Sequence, residues 1–181
     1  MKQSISRIIL FLFILLLTGC GLQSQQRPTS HIPPEAKDKE QLIETLPQNL
    51  SGKRKTIVRH AIYNLGRPYV WGGESPVPGF DCSGLVFYTH GKAGLRVPRT
   101  AREQFGKGDP IARKALVPGD LVFFTSSEKK SDLHVGIFIG NAQFIHAPGR
   151  GRPVSLASLM NRYFKKYFKG ARSYLMDASD Q

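Results

Sequence analysis

The hydrophobic pattern of this chain changes period once, and the change restricts its architecture. Ile57, Val58, Ala61, Ile62 and Leu65 recur at helical spacing behind Ser51, a residue type suited to an N-cap, and Gly66 and Pro68 end the pattern. A second helical stretch is predicted from Cys82 to about Ala93, with Leu85, Val86 and Tyr88 on one face. From Asp120 onward the period falls to that of strands: residues 120–125, 135–139 and 143–147 are β-branched and aromatic runs bounded by glycine or polar residues. Helices first and antiparallel strands second predict an α+β domain. The Gly140-Asn141 step predicts a two-residue hairpin turn. A helix near 155–163 and a last strand near 170–175 complete the expectation, with no internal repeat, P-loop or Rossmann glycine pattern.

Upstream of that body, residues 1–19 carry Lys2 and Arg7, an apolar run over 8–17, and Thr18-Gly19 before Cys20, the order of an export signal. A membrane-spanning helix is the competing reading, but a run of that length at about 1.5 Å per residue reaches only about half of a 30 Å hydrocarbon core. Leu17-Thr18-Gly19-Cys20 resembles the lipobox of bacterial lipoproteins. That resemblance implies a diacylglycerol on the Cys20 sulfur, Cys20 as the new N-terminus, and acyl chains sufficient for stable membrane anchoring. Gly21 stands where Asp would favour the inner membrane, which implies an outer-membrane address facing the periplasm. Residues 20–50 are rich in Gln, Ser, Pro, Lys and Glu and predict a flexible tether, with at most a marginal helix near 35–46. The folded domain is then expected at 51–177 and a short tail at 178–181.

The chain has two cysteines, so lipidation of Cys20 leaves Cys82 as a lone thiol outside the cytosol. A Cys20–Cys82 disulfide and an inert buried cysteine are the competing readings. The formal charge of +13 favours anionic partners. For an exported, lipidated protein these are lipid headgroups and carboxylate-bearing cell wall rather than nucleic acid. The basic run at 162–169, interleaved with Tyr163, Phe164, Tyr167 and Phe168, reads as an aromatic core face with a basic outside.

Cys82 falls where a loop enters a helix. There the helix dipole favours thiolate and nearby amides can hold an oxyanion, so a thiol pKa lowered from about 8.5 is expected. The imidazole partner must come from His60, His90, His134 or His146, since His31 lies in the tether. With 140 and 141 as turn residues, His146 falls opposite Val135, one position from His134, which supplies a base and a group to orient it. His60 and His90 sit on predicted helices without such partners. A zinc site from Cys82, His134 and His146 is an alternative, although no CxxC or HExxH spacing accompanies it.

Five stretches resemble the NlpC-type cell-wall cysteine peptidases: Tyr69-Val70-Trp71-Gly72-Gly73, Asp81-Cys82-Ser83-Gly84-Leu85-Val86, the Pro118 to Phe124 run, His134-Val135-Gly136-Ile137, and Phe144-Ile145-His146-Ala147. The resemblance covers about 51–177 and extends to lipoprotein members of the family. It implies a papain-like α+β fold and hydrolysis of peptidoglycan stem peptides without metal or organic cofactor. It makes Cys82 the nucleophile, His134 the base, His146 the orienting third member, and Tyr69 a hydroxyl donor at the oxyanion. By the same resemblance Asp81 and Ser83 line the groove for substrate, with helix capping as their other role. Arg150 and Arg152 follow directly on His146 and are expected to meet stem-peptide carboxylates. A wall-binding protein without activity, and a cysteine amidase or acyltransferase on the same fold, are the rival functions.

Overall fold

The computed structural model describes residues 36–125, 132–149 and 151–175. The export signal, Cys20, Gly21, Arg150 and the tail lie outside them. No helix of the described residues is long and apolar enough to cross a membrane.

Two helices carry the apolar stripes that the sequence predicts. Helix α2 (Gly52–Tyr63) starts where the Ser51 hydroxyl accepts the Arg54 amide at 3.4 Å and buries Ile57, Val58, Ala61 and Ile62. Helix α3 (Cys82–Lys92) follows a small hairpin, β1 (Glu74–Ser75) with β2 (Gly79–Phe80), and buries Leu85 and Val86. A short helix α4 (Ala101–Lys107) then leads into the sheet.

Residues 36–50, assigned by composition to a flexible tether, instead carry helix α1 (Ala36–Glu44). Leu46 and Leu50 are buried behind it, and Leu42 and Ile43 pack on the core. Lys39 Nζ donates to the carbonyls of Tyr63 (3.1 Å) and Leu65 (2.9 Å) at the end of α2. A helix that short is marginal alone, and these tertiary contacts supply what its propensity lacks.

The sheet is antiparallel throughout, with six strands: β3 (Asp109–Ile111), β4 (Leu121–Thr125), β5 (Leu133–Gly140), β6 (Gln143–His146), β7 (Ser155–Ser158) and β8 (Phe168–Ser173), ordered β3-β8-β4-β5-β6-β7. Both faces are covered. Leu121, Phe123, Val135, Ile137 and Ile145 pack toward the buried helix residues, whereas Val122, Phe124, Phe138 and Phe144 pack under Phe164 and Phe168. The expected helix over 155–163 is replaced by β7, which pairs with β6 from Gln143↔Ser158 to His146↔Ser155 and satisfies the outer hydrogen-bonding groups of that strand. The helix begins later, as α5 (Arg162–Tyr167), and Phe164 turns inward against Phe124 and Phe144 while Tyr163 stays exposed.

One buried ion pair ties the helices to the sheet. Arg54, on α2, donates from Nη1 to Asp120 Oδ1 at 2.9 Å and to the Pro118 carbonyl at 3.1 Å, and Asp120 Oδ2 accepts the Val117 amide at 2.9 Å. Both side chains are almost inaccessible. Asp120→Ala would strand a buried guanidinium and is expected to cost about 3–5 kcal/mol. Urea unfolding checks this through a large fall in midpoint at unchanged slope; a loss below about 1 kcal/mol would mean that water reaches the pair.

Candidate active site

The helix carrying Cys82 begins because Asp81 caps it. The Asp81 carboxylate accepts the Gly84 amide at 2.6 Å and the Ser83 hydroxyl at 3.2 Å through Oδ1, and the Gly72 amide at 3.0 Å through Oδ2. A Cβ at Gly84 would collide with the Gly73 carbonyl, so glycine there lets the helix abut the 69–73 loop. The backbone amides of Val135, Ser83 and Cys82 itself act on the Cys82 sulfur in the direction that favours thiolate. Strand β5 therefore reaches the helix start through the amide next to His134.

Across the sheet end the two histidines meet: His134 Nε2 lies 2.7 Å from His146 Nδ1, with rings nearly perpendicular. The pairing that achieves this differs by one residue from the sequence expectation. The turn residues are Asn141 and Ala142, both at positive φ (49° and 56°), and the ladder runs Ile137↔Ile145 and Phe138↔Phe144. Directly opposed side chains share a face, so the expected register, with His146 opposite Val135, would have sent the imidazoles to opposite faces. Continuing the observed ladder sets His146 across from Gly136, on the same face as His134.

That face is aromatic. His146 lies against Phe144 and Phe164, and His134 against Phe124. Burial, followed by the charge of Arg152, pushes His134 down to about 4. His146 falls well below the ordinary imidazole value through burial, then through His134 and Arg152. Cys82 moves the other way: burial pushes the thiol up, the three amides oppose it, and Asp81 adds to the rise. The expected pKa-lowering of this thiol by the helix start is thus overridden by desolvation. The free site holds a neutral thiol and a neutral imidazole pair.

Tyr69 joins the site from the loop. Its phenol is raised by burial and then by Cys82 and Asp81, which makes it a neutral O–H donor next to the sulfur. Arg152 is exposed and braces the 148–152 turn through the carbonyls of Gly149 and Pro148, both at 3.4 Å; Arg150 lies outside the described residues. His90 is a core residue, with Nδ1 3.0 Å from the Val86 carbonyl and its pKa pushed by burial to about 4. His60 packs edge-on against Tyr88. Among the described residues no group of three or more His, Cys, Asp or Glu side chains is arranged to hold a metal ion.

Arg99 was missed by sequence reasoning. It lies ahead of α4 and forks onto Asp81, Nη1 to Oδ1 at 3.0 Å and Nη2 to Oδ2 at 2.8 Å, while reaching Ser83 Oγ (3.1 Å), the Gly73 carbonyl (3.3 Å) and Glu74 (2.9 Å). With these donors counted, the roughly four acceptor positions of the Asp81 carboxylate are filled. Asp81 and Ser83 thus act as cap and clamp of this helix start, the second of the two roles expected of them.

A family model described as "NlpC/P60 family" matches residues 66–173, which hold Tyr69, Asp81, Cys82, Arg99, His134, His146 and Arg152. The chain belongs to the NlpC/P60 family. It is 41% identical over 121 residues to the murein DD-endopeptidase MepH of Escherichia coli, covering 65% of this chain and 45% of that protein. It is 40% identical over 114 residues to the bifunctional muramidase/DL-endopeptidase CwlT of Bacillus subtilis, covering 62% of this chain and 34% of that one. The chain thus matches less than half the length of these NlpC/P60 relatives. A solved NLP/P60 structure from Staphylococcus aureus, similar to lipoprotein, superposes with a TM-score of 0.63 at 32% identity, covering 74% of this chain and 45% of its own. The α+β fold is the NlpC/P60 fold.

The depressed imidazoles predict an acid-sensitive fold. His90 and His134 titrate near 4 when folded and near the ordinary 6.5 when unfolded, so between those values the unfolded chain binds more protons. Their stabilising contribution is complete above pH 6.5 and is lost as pH falls toward 4. The melting temperature is expected to drop steadily from pH 6.5 to 4.5 at fixed ionic strength; a flat profile would contradict the burial of neutral imidazoles.

Proposed function

We propose that this protein is a peptidoglycan endopeptidase that hydrolyses a stem-peptide amide by attack of Cys82, with His134 as general base and His146 as its orienting partner. One observation carries the reading: Cys82 at a capped helix start, influenced by the Val135 amide, with the residue before Val135, His134, held at 2.7 Å through Nε2 by a second imidazole. With His134 Nε2 bonded to His146, the proton exchange with the thiol falls to Nδ1, which requires the Nε2–H tautomer donating to His146 Nδ1.

Because the resting thiol is neutral, attack and proton transfer to His134 proceed together, and the resulting imidazolium gives its proton to the leaving amine. Tyr69 and backbone amides at the helix start stabilise the oxyanion. Water, activated by the same imidazole, then releases the acyl group from Cys82. No metal or organic cofactor enters this sequence.

The relatives' names include a DD- and a DL-endopeptidase, and two bonds are candidates for this chain, the cross-link between stems and the D-glutamyl–diaminopimelate link within one. Arg152, whose charge already reaches both histidines, is assigned to a stem-peptide carboxylate together with Arg150. The lipobox-like Leu17 to Cys20 stretch supports anchoring through lipidated Cys20 at the outer membrane, facing the periplasm.

Digestion of purified peptidoglycan by the protein and by its Cys82→Ala form, with mass analysis of the fragments, tests the function. Cys82-dependent release of stem fragments still joined to the sugar is expected. Loss of whole stems from the sugar would identify an amidase, and no Cys82-dependent product would overturn hydrolysis. Arg152→Ala is expected to raise KM for acidic muropeptides about tenfold, the scale of one lost charge-assisted hydrogen bond, with little change in kcat.

A further inference from the structure

We propose that Arg99 is the positioning residue of the nucleophile: by gripping both oxygens of the Asp81 cap, the Ser83 hydroxyl and the Gly73 carbonyl, it locks the helix start and the 69–73 loop into one unit and offsets part of the cap's charge beside Cys82. This inference rests on the reading of Cys82 as nucleophile.

The geometry is that of a bidentate fork on a carboxylate, a strong and orientation-specific contact. Arg99 is partly exposed, so the pair's own contribution to stability is modest. Its leverage is local. The two residues flanking Cys82 are both in its grip, and the Gly73 carbonyl it touches also accepts the Asp81 amide at 2.9 Å. Gln104 adds a second hold from α4, donating to the Ser83 carbonyl at 3.0 Å.

Electrostatics give the clamp a consequence that packing alone would not. Asp81 is one of the influences raising the Cys82 thiol. Burial acts to raise Asp81 itself, but the Arg99 hydrogen bonds outweigh it and keep the carboxyl below its ordinary range, so the cap remains anionic. The other titratable or charged groups around the helix start are Glu74, which accepts from Arg99 Nε at 2.9 Å, Tyr69 from the loop, the His134–His146 pair from the sheet, and Arg152 near the end of β6. None of them bonds to the cap. Without Arg99 the Asp81 charge would act on Cys82 uncompensated.

The test is the pH dependence of Cys82 alkylation by iodoacetamide, read by mass spectrometry of the Cys82 peptide from the full chain, alongside turnover of a muropeptide. Arg99→Met is expected to move the alkylation midpoint up by about one pH unit, the scale of a lost neighbouring charge. Asp81→Asn combined with Arg99→Met is expected to bring the midpoint back to the wild-type value or below it, because Asp81 raises the thiol even with Arg99 in place. Arg99→Lys keeps the charge but loses the fork, so its midpoint stays near wild type while kcat falls and KM holds. Should Arg99→Met fail to fold, the lysine variant still decides, because an unchanged kcat there overturns the clamp. A folded Arg99→Met with an unmoved midpoint overturns the electrostatic role, as does a double variant that does not recover. Alkylation needs no hydrolysis, so failure of the proposed reaction would appear separately as absent turnover with an intact midpoint shift.

Discussion

Five hydrogen bonds converge on the carboxylate of Asp81, from the amides of Gly72 and Gly84, the Ser83 hydroxyl and two nitrogens of Arg99. The helix that presents Cys82 begins at that carboxylate, the glycine loop that presents Tyr69 is fastened to it, and Gly84 lets the two approach. A helix of eleven residues has little stability alone, so the position of its first turn is set by its cap and by the Leu85 and Val86 anchors in the core. Cys82 is therefore placed by a surface-proximal polar cluster seated on a buried apolar floor.

Desolvation sets the chemistry of the rest. The aromatic wall of Phe124, Phe144 and Phe164 that surrounds the histidine pair also removes water from it, so both imidazoles are held neutral well below the ordinary imidazole range. The same enclosure keeps the thiol protonated despite the amides around it. A neutral pair is poised for concerted proton transfer, and substrate that fills the site inherits a low-dielectric environment in which each remaining donor acts strongly. Acid sensitivity is the cost of that arrangement.

Much of this was legible in the sequence. Apolar spacing located helices α2 and α3, β-branched runs located three central strands, and Cys82 with two strand histidines marked out the reacting groups proposed above. The misses have separate physical causes. Register in the hairpin turned on whether Gly140 or Asn141 opened the turn, and local residue preferences allow both, whereas only the observed ladder puts His134 and His146 on one face. Residues 36–50 and 155–158 took their structure from tertiary partners, the end of α2 and the open edge of β6. Arg99 left no local signal, because its partners lie in segments 16 to 26 residues away.

The account stands on Cys82 carrying the acyl group of the substrate. Mixing the protein with a stem-peptide substrate, quenching in acid within the first turnovers and weighing the Cys82 peptide reads that directly. An acyl mass on Cys82 that is absent from His134→Ala under the same conditions is the predicted result. Product formation with no adduct on Cys82, or an adduct that forms equally fast without His134, would contradict it.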